Sequence, residues 1–393
     1  MQSRYEPRPH GIRWTKPIFS GSVRRVTAMR RLLPYSAAFL AAILFCLVVP
    51  HAAAAARGAQ EGLDVALATA IPALFPFFVA SGLLIRSGAV SVVGKWCAPL
   101  IRRVYGLPGE AAGPLVLGLT GGYPIGAQAA RELYDAGTLS REEAERLLGF
   151  CNNTGPAFLI GVCGAGLCGS VRTGVLLYGI HIAAALLTGL AMTVRESPQA
   201  MRHASRAPEP LPFSTCLTQS VQQAGRACLS ITAFIMLFSM LRRVLEAAGI
   251  LEHAAVLCTP LLWFLGAPAD AAQPLLVGIL EMTSGLVLLP EGAGRALLPA
   301  MSFVVGFGGL SVLCQTAAAV NGLSLRRLFY GKVLHGLIAA ALTMIVQAIL
   351  PHPTPVFSAA LASLPTHPAA GLLFVSISIL CVTSSGKKHR NRL

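Results

Sequence analysis

The chain has 393 residues, 54% of them hydrophobic and only 12% charged, with a mean hydropathy of +0.66. A soluble domain of this length needs a larger share of charge to cover its surface, so the composition excludes one. The formal net charge of +15 clusters at the ends of apolar runs, the pattern of cytoplasmic membrane flanks, which makes the lipid bilayer and not nucleic acid the partner.

Taken in chain order, the first 33 residues carry eight Lys/Arg (Arg4, Arg8, Arg13, Lys16, Arg24, Arg25, Arg30 and Arg31) and read as a basic cytoplasmic segment. From Met29, "MRRLLPYSAAFLAAILFCLVVPHAAAAARGA" has the basic start, apolar core and small-residue tail of a secretory signal peptide. If Met29 is the true start, residues 1–28 fall away, and residues 34–56 are either cleaved or kept as a first transmembrane helix. Retention is the expectation, because the rest of the chain is also in the membrane.

Apolar runs near 20 residues follow at 64–86, 148–168, 171–194, 226–245, 298–320, 328–350 and 368–384, the length a bilayer core demands. Two more, 107–133 and 266–290, are interrupted by helix breakers. The amphipathic "VSVVGKWCAPLIRRVYG" is predicted to lie along the interface. "SREEAERLL" at 140–148 reads as a capped, solvated helix without chemistry. The most polar loop, 195–224, divides the chain. The predicted organisation is therefore a first repeat over 60–194, a cytoplasmic linker over 195–225 and a second repeat over 226–350. Residues 351–393 supply a loop, a last helix and the basic "KKHRNR" tail.

The two halves match. "GLPGEAAGPLVLG" from Gly106 and "GAPADAAQPLLVG" from Gly266 are identical at seven of thirteen positions, and Glu110 meets Asp270. Pro99-Leu100 pairs with Pro260-Leu261, Phe150 to Val162 aligns with Phe303 to Gln315, and Tyr178-Gly179 meets Tyr330-Gly331. Three full crossings per repeat give the second copy the opposite polarity. With both termini cytoplasmic, this count puts Arg326, Arg327 and Lys332 inside and leaves Arg242 and Arg243 outside as the exception. The expected fold is an all-α polytopic membrane protein with an inverted repeat, two re-entrant helical hairpins and two broken transmembrane helices.

That fold explains the breakers. In a helix interior glycine costs about 1 kcal/mol and proline about 3 kcal/mol relative to alanine, yet Thr120-Gly121-Gly122-Tyr123-Pro124 interrupts an apolar stretch. Non-helical backbone at membrane depth is tolerated where it lines a cavity. Inverted repeats with broken helices are how secondary transporters build midplane sites. Thr120, Gly121, Gly122 and Tyr123 are then a hairpin tip whose free amides attract anions and whose tyrosine can stack on a flat ring, or else a plain tight turn. Gln128, one turn later, is a weaker candidate.

"FCNNTGPAFLIG" breaks the next span: Asn152, Asn153 and Thr154 unwind the helix, or else cap a helix start at the interface. The matching "FVVGFGGLSVLCQ" brings Ser311 and Gln315 after Phe307-Gly308-Gly309. Glu281, in "PLLVGILEMTSGLVLL", costs about 2.5–3.5 kcal/mol to insert, so it should face a cavity or a partner. It suits a proton-coupling group, or a cap of the following half-helix. His181 and His335 read as hydrogen-bonded to neighbouring helices. The ten cysteines form no C-x-x-C pair; Cys163 and Cys168 could pair only on an oxidising side.

No G-x-x-x-x-G-K-[ST], H-E-x-x-H or G-x-S-x-G is present, and the reading is not of an enzyme. No cofactor is expected beyond a coupling proton or sodium ion.

At "LTGGYPIGAQAARELYDAGTLSREEAERLLGFCNNTGPAFLIG" the sequence resembles the sporulation integral membrane proteins of the YlbJ type, within the nucleoside transporter/FeoB Gate-domain group. The resemblance covers roughly residues 60–350. It implies a concentrative-nucleoside-transporter-like core in the cell membrane and a role in endospore formation, where such proteins are associated with moving dipicolinate. Carried onto this chain, it adds Thr283 and Ser284 to Thr120–Tyr123, Asn152–Thr154, Glu281 and Ser311 as solute-holding residues. The first hairpin has Gly-Gly-Tyr-Pro where nucleoside transporters use a Gln-Thr-Glu run, which argues against a nucleoside. The implied solute is a small, polar, anionic, planar metabolite. The alternatives are a non-transporting scaffold of a sporulation membrane complex, with homo-oligomeric or sporulation-protein partners, and a nucleoside carrier.

Overall fold

Several helices of this chain stop at glycine or proline, while Pro76, Pro99, Pro260 and Pro299 lie inside helices. The computed structural model describes residues 38–87, 89–193, 212–264, 269–289 and 294–349. The basic segment before residue 34, most of the predicted linker and the 368–384 span lie outside them. The described residues are helices joined by turns. Helix α1 (Ala38–Val48) ends beside Pro50, and α2 (Ala52–Val65) starts two residues later, so the predicted 34–56 span is not one helix.

From α2 the chain runs through a π-helical turn, Ala66–Ala70, into α3 (Ile71–Arg86). Pro72 has no N–H to donate to the preceding turn, which accounts for the widened ladder just before it. Next come α4 (Ala89–Tyr105) and a 3-10 turn, Gly109–Ala111. The antiparallel pair α5 (Ala112–Gly121) and α6 (Ile125–Asp135) forms the first hairpin. Helix α7 (Arg141–Cys151) begins with a complete capping box between Ser140 and Glu143. It breaks at residues 152–155 and resumes as a glycine-rich π-helix, Ala157–Leu167, before α8 (Val171–Thr193).

The second half repeats this order. Helix α9 (Phe213–Ala247) takes the place of α3, α10 (Ile250–Phe264) that of α4, and a 3-10 turn, Ala269–Ala271, that of Gly109–Ala111. The second hairpin is α11 (Ala272–Leu280) and α12 (Met282–Val287). The second broken helix is α13 (Gly294–Phe307) and α14 (Gly309–Ala319), followed by α15 (Arg326–Ile349). Glu110 and Asp270 each sit in the first turn of their 3-10 segment, where a carboxylate favours the helix start. Helices α8, α9, α13–α14 and α15 are long and apolar enough to cross a membrane.

One predicted boundary moves. Helix α9 starts at Phe213, not near 226, and its 35 residues reach about 50 Å, well beyond a hydrocarbon core of about 30 Å. The polar stretch that reads as linker is helical because Cys216, Ser220, Ala224, Ala227 and Cys228 form a buried stripe at helical spacing. This stripe continues through Ile231 and Ile235 into an apolar cluster with Phe78 of α3 and Ile125 of α6. Other clusters surround the hairpins: Leu147, Leu148 and Phe150 with Leu115 for the first, and Met301 and Val304 with Leu275 for the second. Where α13 and α15 cross, Gly306 meets Gly336, small residues that let the backbones approach.

Candidate functional site

Each hairpin turns on a residue whose backbone leaves the helical region. In the first, Gly122 ends α5 at φ +79°, a conformation that glycine adopts without strain. A Cβ on Gly122 would lie 2.9 Å from the Gly155 nitrogen, so the tip rests backbone to backbone on the first helix break. In the second, Glu281 leaves the helix with φ −142° and ψ 111° and caps the next one. Its Oε1 accepts from the Thr283 amide at 3.0 Å and its Oε2 from the Ser284 amide at 2.5 Å. The second broken helix turns at Gly308, φ +86°, and a Cβ there would sit 2.9 Å from the Tyr123 hydroxyl.

The two tips, the first break and the α14 half of the second broken helix converge on one cavity of about 60 Å³. Its wall includes Gly122 and Tyr123 from the first hairpin, Thr154 and Gly155 from the first break, Glu281 and Thr283 from the second hairpin, and Gln315 from α14. Apolar side chains of α3 and α9, among them Leu74, Ile231 and Ile235, close it. Space of this size holds roughly four to six waters.

The other predicted residues lie behind or beside that wall. Thr120 donates back to the Val116 carbonyl at 2.8 Å, and Gly121 is the buried last residue of α5. Asn152 donates from Nδ2 to Thr316 Oγ1 at 2.8 Å, and Asn153 to the Phe150 carbonyl at 2.8 Å. Both side-chain carbonyls, Asn152 Oδ1 and Asn153 Oδ1, are buried with no hydrogen-bond partner among the described residues. Ser311 is fully buried and accepts from Gln315 Nε2 at 3.2 Å. Gln128 lies outside the central cavity and accepts from Gln223 Nε2 at 3.1 Å. Ser284 faces the opposite side of the second tip, 3.4 Å from Ser239 of α9.

Two larger cavities flank the central one along α9. The first, of about 500 Å³, is lined by Arg86, Gln128, Arg131, Glu132, Gln223 and Arg226, and shares Ile231 and Gln315 with the central cavity. The second, of about 790 Å³, lies beyond Ser239 and Ser284 and is lined by Glu61, Arg242, Arg243 and Glu246. There Arg242 binds Glu61 at 2.5 Å and Glu246 at 2.7 Å, and Arg243 pairs with both carboxylates as well. These two arginines are the exception in the sequence's charge count, and both are ion-paired.

Lys332 is the residue that sequence reasoning misplaced. The charge count sets it on the cytoplasmic flank with Arg326 and Arg327, but it is buried in the interior, 1% exposed. Its Nζ donates to the Tyr123 hydroxyl at 2.8 Å and to the Asn152 carbonyl at 3.1 Å, and stands 4.7 Å from the centre of the Tyr123 ring. Tyr123 is thereby tied in place, with Thr154 Oγ1 at 3.1 Å and the Val305 carbonyl at 3.2 Å from its hydroxyl. The available signal was spacing: Lys332 lies one turn from His335, away from the flank arginines.

His335 meets His181 across α8 and α15, ring centres 5.4 Å apart, and no hydrogen bond reaches either ring from the described residues. Cys163 and Cys168 are separate thiols.

A family profile described as nucleoside recognition, Gate, matches residues 67–195, which include the first hairpin and the first broken helix. Sporulation integral membrane protein YlbJ of Bacillus subtilis (strain 168) is 30% identical over 322 residues, 76% of this chain and 79% of that protein. Among solved structures, CNTnw in an inward-facing substrate-bound state is 14% identical, covering 81% of this chain and 86% of that one, with a TM-score of 0.48. A doubly substituted variant of it in an outward-facing state is 16% identical, covering 82% and 86%, with a TM-score of 0.47. With its relative in Bacillus subtilis matched at that identity and coverage, the chain belongs to the YlbJ family of sporulation integral membrane proteins.

Proposed function

We propose that this protein is a transporter that moves a small, polar, anionic, planar metabolite of the dipicolinate kind across a membrane during endospore formation. The observation that carries the reading is the convergence of both hairpin tips, the first helix break and the α14 half of the second broken helix on one cavity between two larger ones. Backbone breaks at membrane depth are costly unless they line a cavity, and a site between two repeats is where alternating access needs it.

The chain's own residues divide the work. Gly122, Tyr123, Thr154, Thr283 and Gln315 offer hydroxyls, an amide and backbone to the solute. Glu281 is the coupling group, for a proton or a sodium ion. The partition towards the first flanking cavity is Ile231 and Gln315, and towards the second it is the contact of Ser239 with Ser284. Opening one while the other stays shut moves solute from side to side. The central space widens in the loaded state, since a ring acid is larger than a few waters.

The test is uptake of labelled dipicolinate and, separately, a labelled nucleoside into liposomes holding the purified protein, with and without proton and sodium gradients. Saturable dipicolinate uptake that nucleoside does not compete for is the expected result. Nucleoside uptake would make the protein a nucleoside carrier. No uptake of either by folded protein would favour a non-transporting scaffold and turn the search to its membrane partners.

A further inference from the structure

We propose that Lys332 selects the charge of the solute: its Nζ, one hydrogen bond behind the cavity wall, holds a positive charge when a carboxylate occupies the central cavity and stabilises that carboxylate. The proposal rests on the reading of that cavity as the solute site. It goes beyond that reading by naming the residue that makes the site an anion site.

A buried charge kept for structure is paired with its opposite, because an uncompensated charge away from water is costly. Lys332 has no such partner: among the described residues no carboxylate forms an ion pair with it. It is held instead by neutral groups, the Tyr123 hydroxyl, the Asn152 carbonyl and the Tyr123 ring. These groups orient the ammonium without cancelling its charge. An ammonium carries three N–H donors, and two of them meet acceptors among the described residues.

The acceptors are also informative. Tyr123 lines the cavity, and Thr154, bonded to the same hydroxyl, lines it too, so the ammonium lies directly behind the face shared by the first hairpin and the first break. Among the described residues Glu281 is the one carboxylate in the cavity wall, and its oxygens accept from the Thr283 and Ser284 amides at a helix start. Its charge is met by its own hairpin and not by Lys332. The flanking cavity that shares Gln315 with the centre also carries guanidinium: Arg86 and Arg226 stand with Glu132, while Arg131 is ion-paired with Asp135. Such a vestibule raises the local concentration of anions.

The experiment compares the protein with Lys332→Met and Lys332→Gln, which remove the charge, and with Lys332→Arg, which keeps it. Thermal unfolding in detergent is followed with dipicolinate, with its neutral diamide, and with pyridine-2-carboxylate and phthalate. The expected result is stabilisation of the native protein and Lys332→Arg by dipicolinate, with the apparent affinity falling about a hundredfold in the uncharged variants. The diamide should not separate the variants. Equal stabilisation of native and uncharged variants, or none of the native protein by any of the three anions, would overturn the proposal. Either uncharged variant suffices if the other does not fold.

Uptake is measured in parallel. Lys332-dependent anion binding without uptake upholds the anion site and removes the transporter reading. Dipicolinate uptake that is unchanged in the uncharged variants removes the role of Lys332 and leaves transport standing.

Discussion

The two hairpin tips solve the same backbone problem with opposite chemistry. Each must turn the chain inside the protein and satisfy the groups left free at the helix ends. The second tip does so with its own side chain: Glu281 caps α12 through two amides, so that hairpin is chemically self-contained. The first tip has no such side chain. It depends on closeness, Gly122 against Gly155, and on Tyr123, whose hydroxyl is reached by Lys332 from α15 and lies within hydrogen-bond distance of the α13 carbonyl of Val305. One tip is held locally and carries a negative group; the other is held by the first helix break and by residues 182 and 209 positions away, and borrows a positive one. Repeats that share an architecture need not share a charge, and a site built at their junction is therefore asymmetric.

The sharpest way to break the first tip is Gly122→Ala. It places a methyl 2.9 Å from the Gly155 nitrogen at a backbone conformation that disfavours side chains. Strain and overpacking together cost about 2–4 kcal/mol. A large fall in melting temperature, with uptake abolished, is expected. Near-native stability would mean that the tip and the break do not touch.

Tyr123→Phe probes the borrowed charge. It removes an acceptor of a buried ammonium, a bond worth about 1.5–3 kcal/mol. The expected result is a smaller stability loss than for Gly122→Ala and weaker anion binding. The second tip should respond differently. Glu281→Ala strips the cap from α12, costing about 1–2 kcal/mol, and stops coupled uptake. Glu281→Gln keeps one acceptor and the side-chain shape, so it should insert and fold while losing coupling. Normal coupled uptake by Glu281→Gln would refute the coupling role.

Much of this asymmetry was legible in the sequence, and what was not has a physical cause. The breaks announce themselves because glycine and proline act locally: Gly122 and Gly308 turn the chain where the pattern is interrupted, and Gly155-Pro156 closes the unwound stretch of the first broken helix. The repeat shows because Pro108/Pro268 and Gly118/Gly278 hold matching places. Glu281 stands out as a lone acid in an apolar run. Three features are non-local and left little trace. The start of α9 at Phe213 is fixed by a stripe that packs against α3, while its other faces are polar enough to read as loop. The pairing of Asn152 with Thr316 joins residues 164 positions apart. Lys332 resembles a flank residue because two arginines precede it, and only tertiary packing makes it an interior cation.

The smallest expected effect is also the control that gives the others meaning. Ser140 caps α7 as Glu281 caps α12: its hydroxyl accepts from the Glu143 amide at 3.2 Å, and the Glu143 carboxylate accepts from the Ser140 amide at 2.7 Å. Ser140 is not among the residues lining the central cavity. Ser140→Ala should cost about 1 kcal/mol, within the range of any lost cap and near that of Glu281→Ala. If the cavity is the solute site, uptake by Ser140→Ala stays near the native rate once the amount of folded protein is equalised, while Glu281→Ala is inactive at the same stability. If both variants lose uptake in proportion to their melting temperatures, the second tip matters only as a cap, and the distinction between a self-contained hairpin and a functional one disappears.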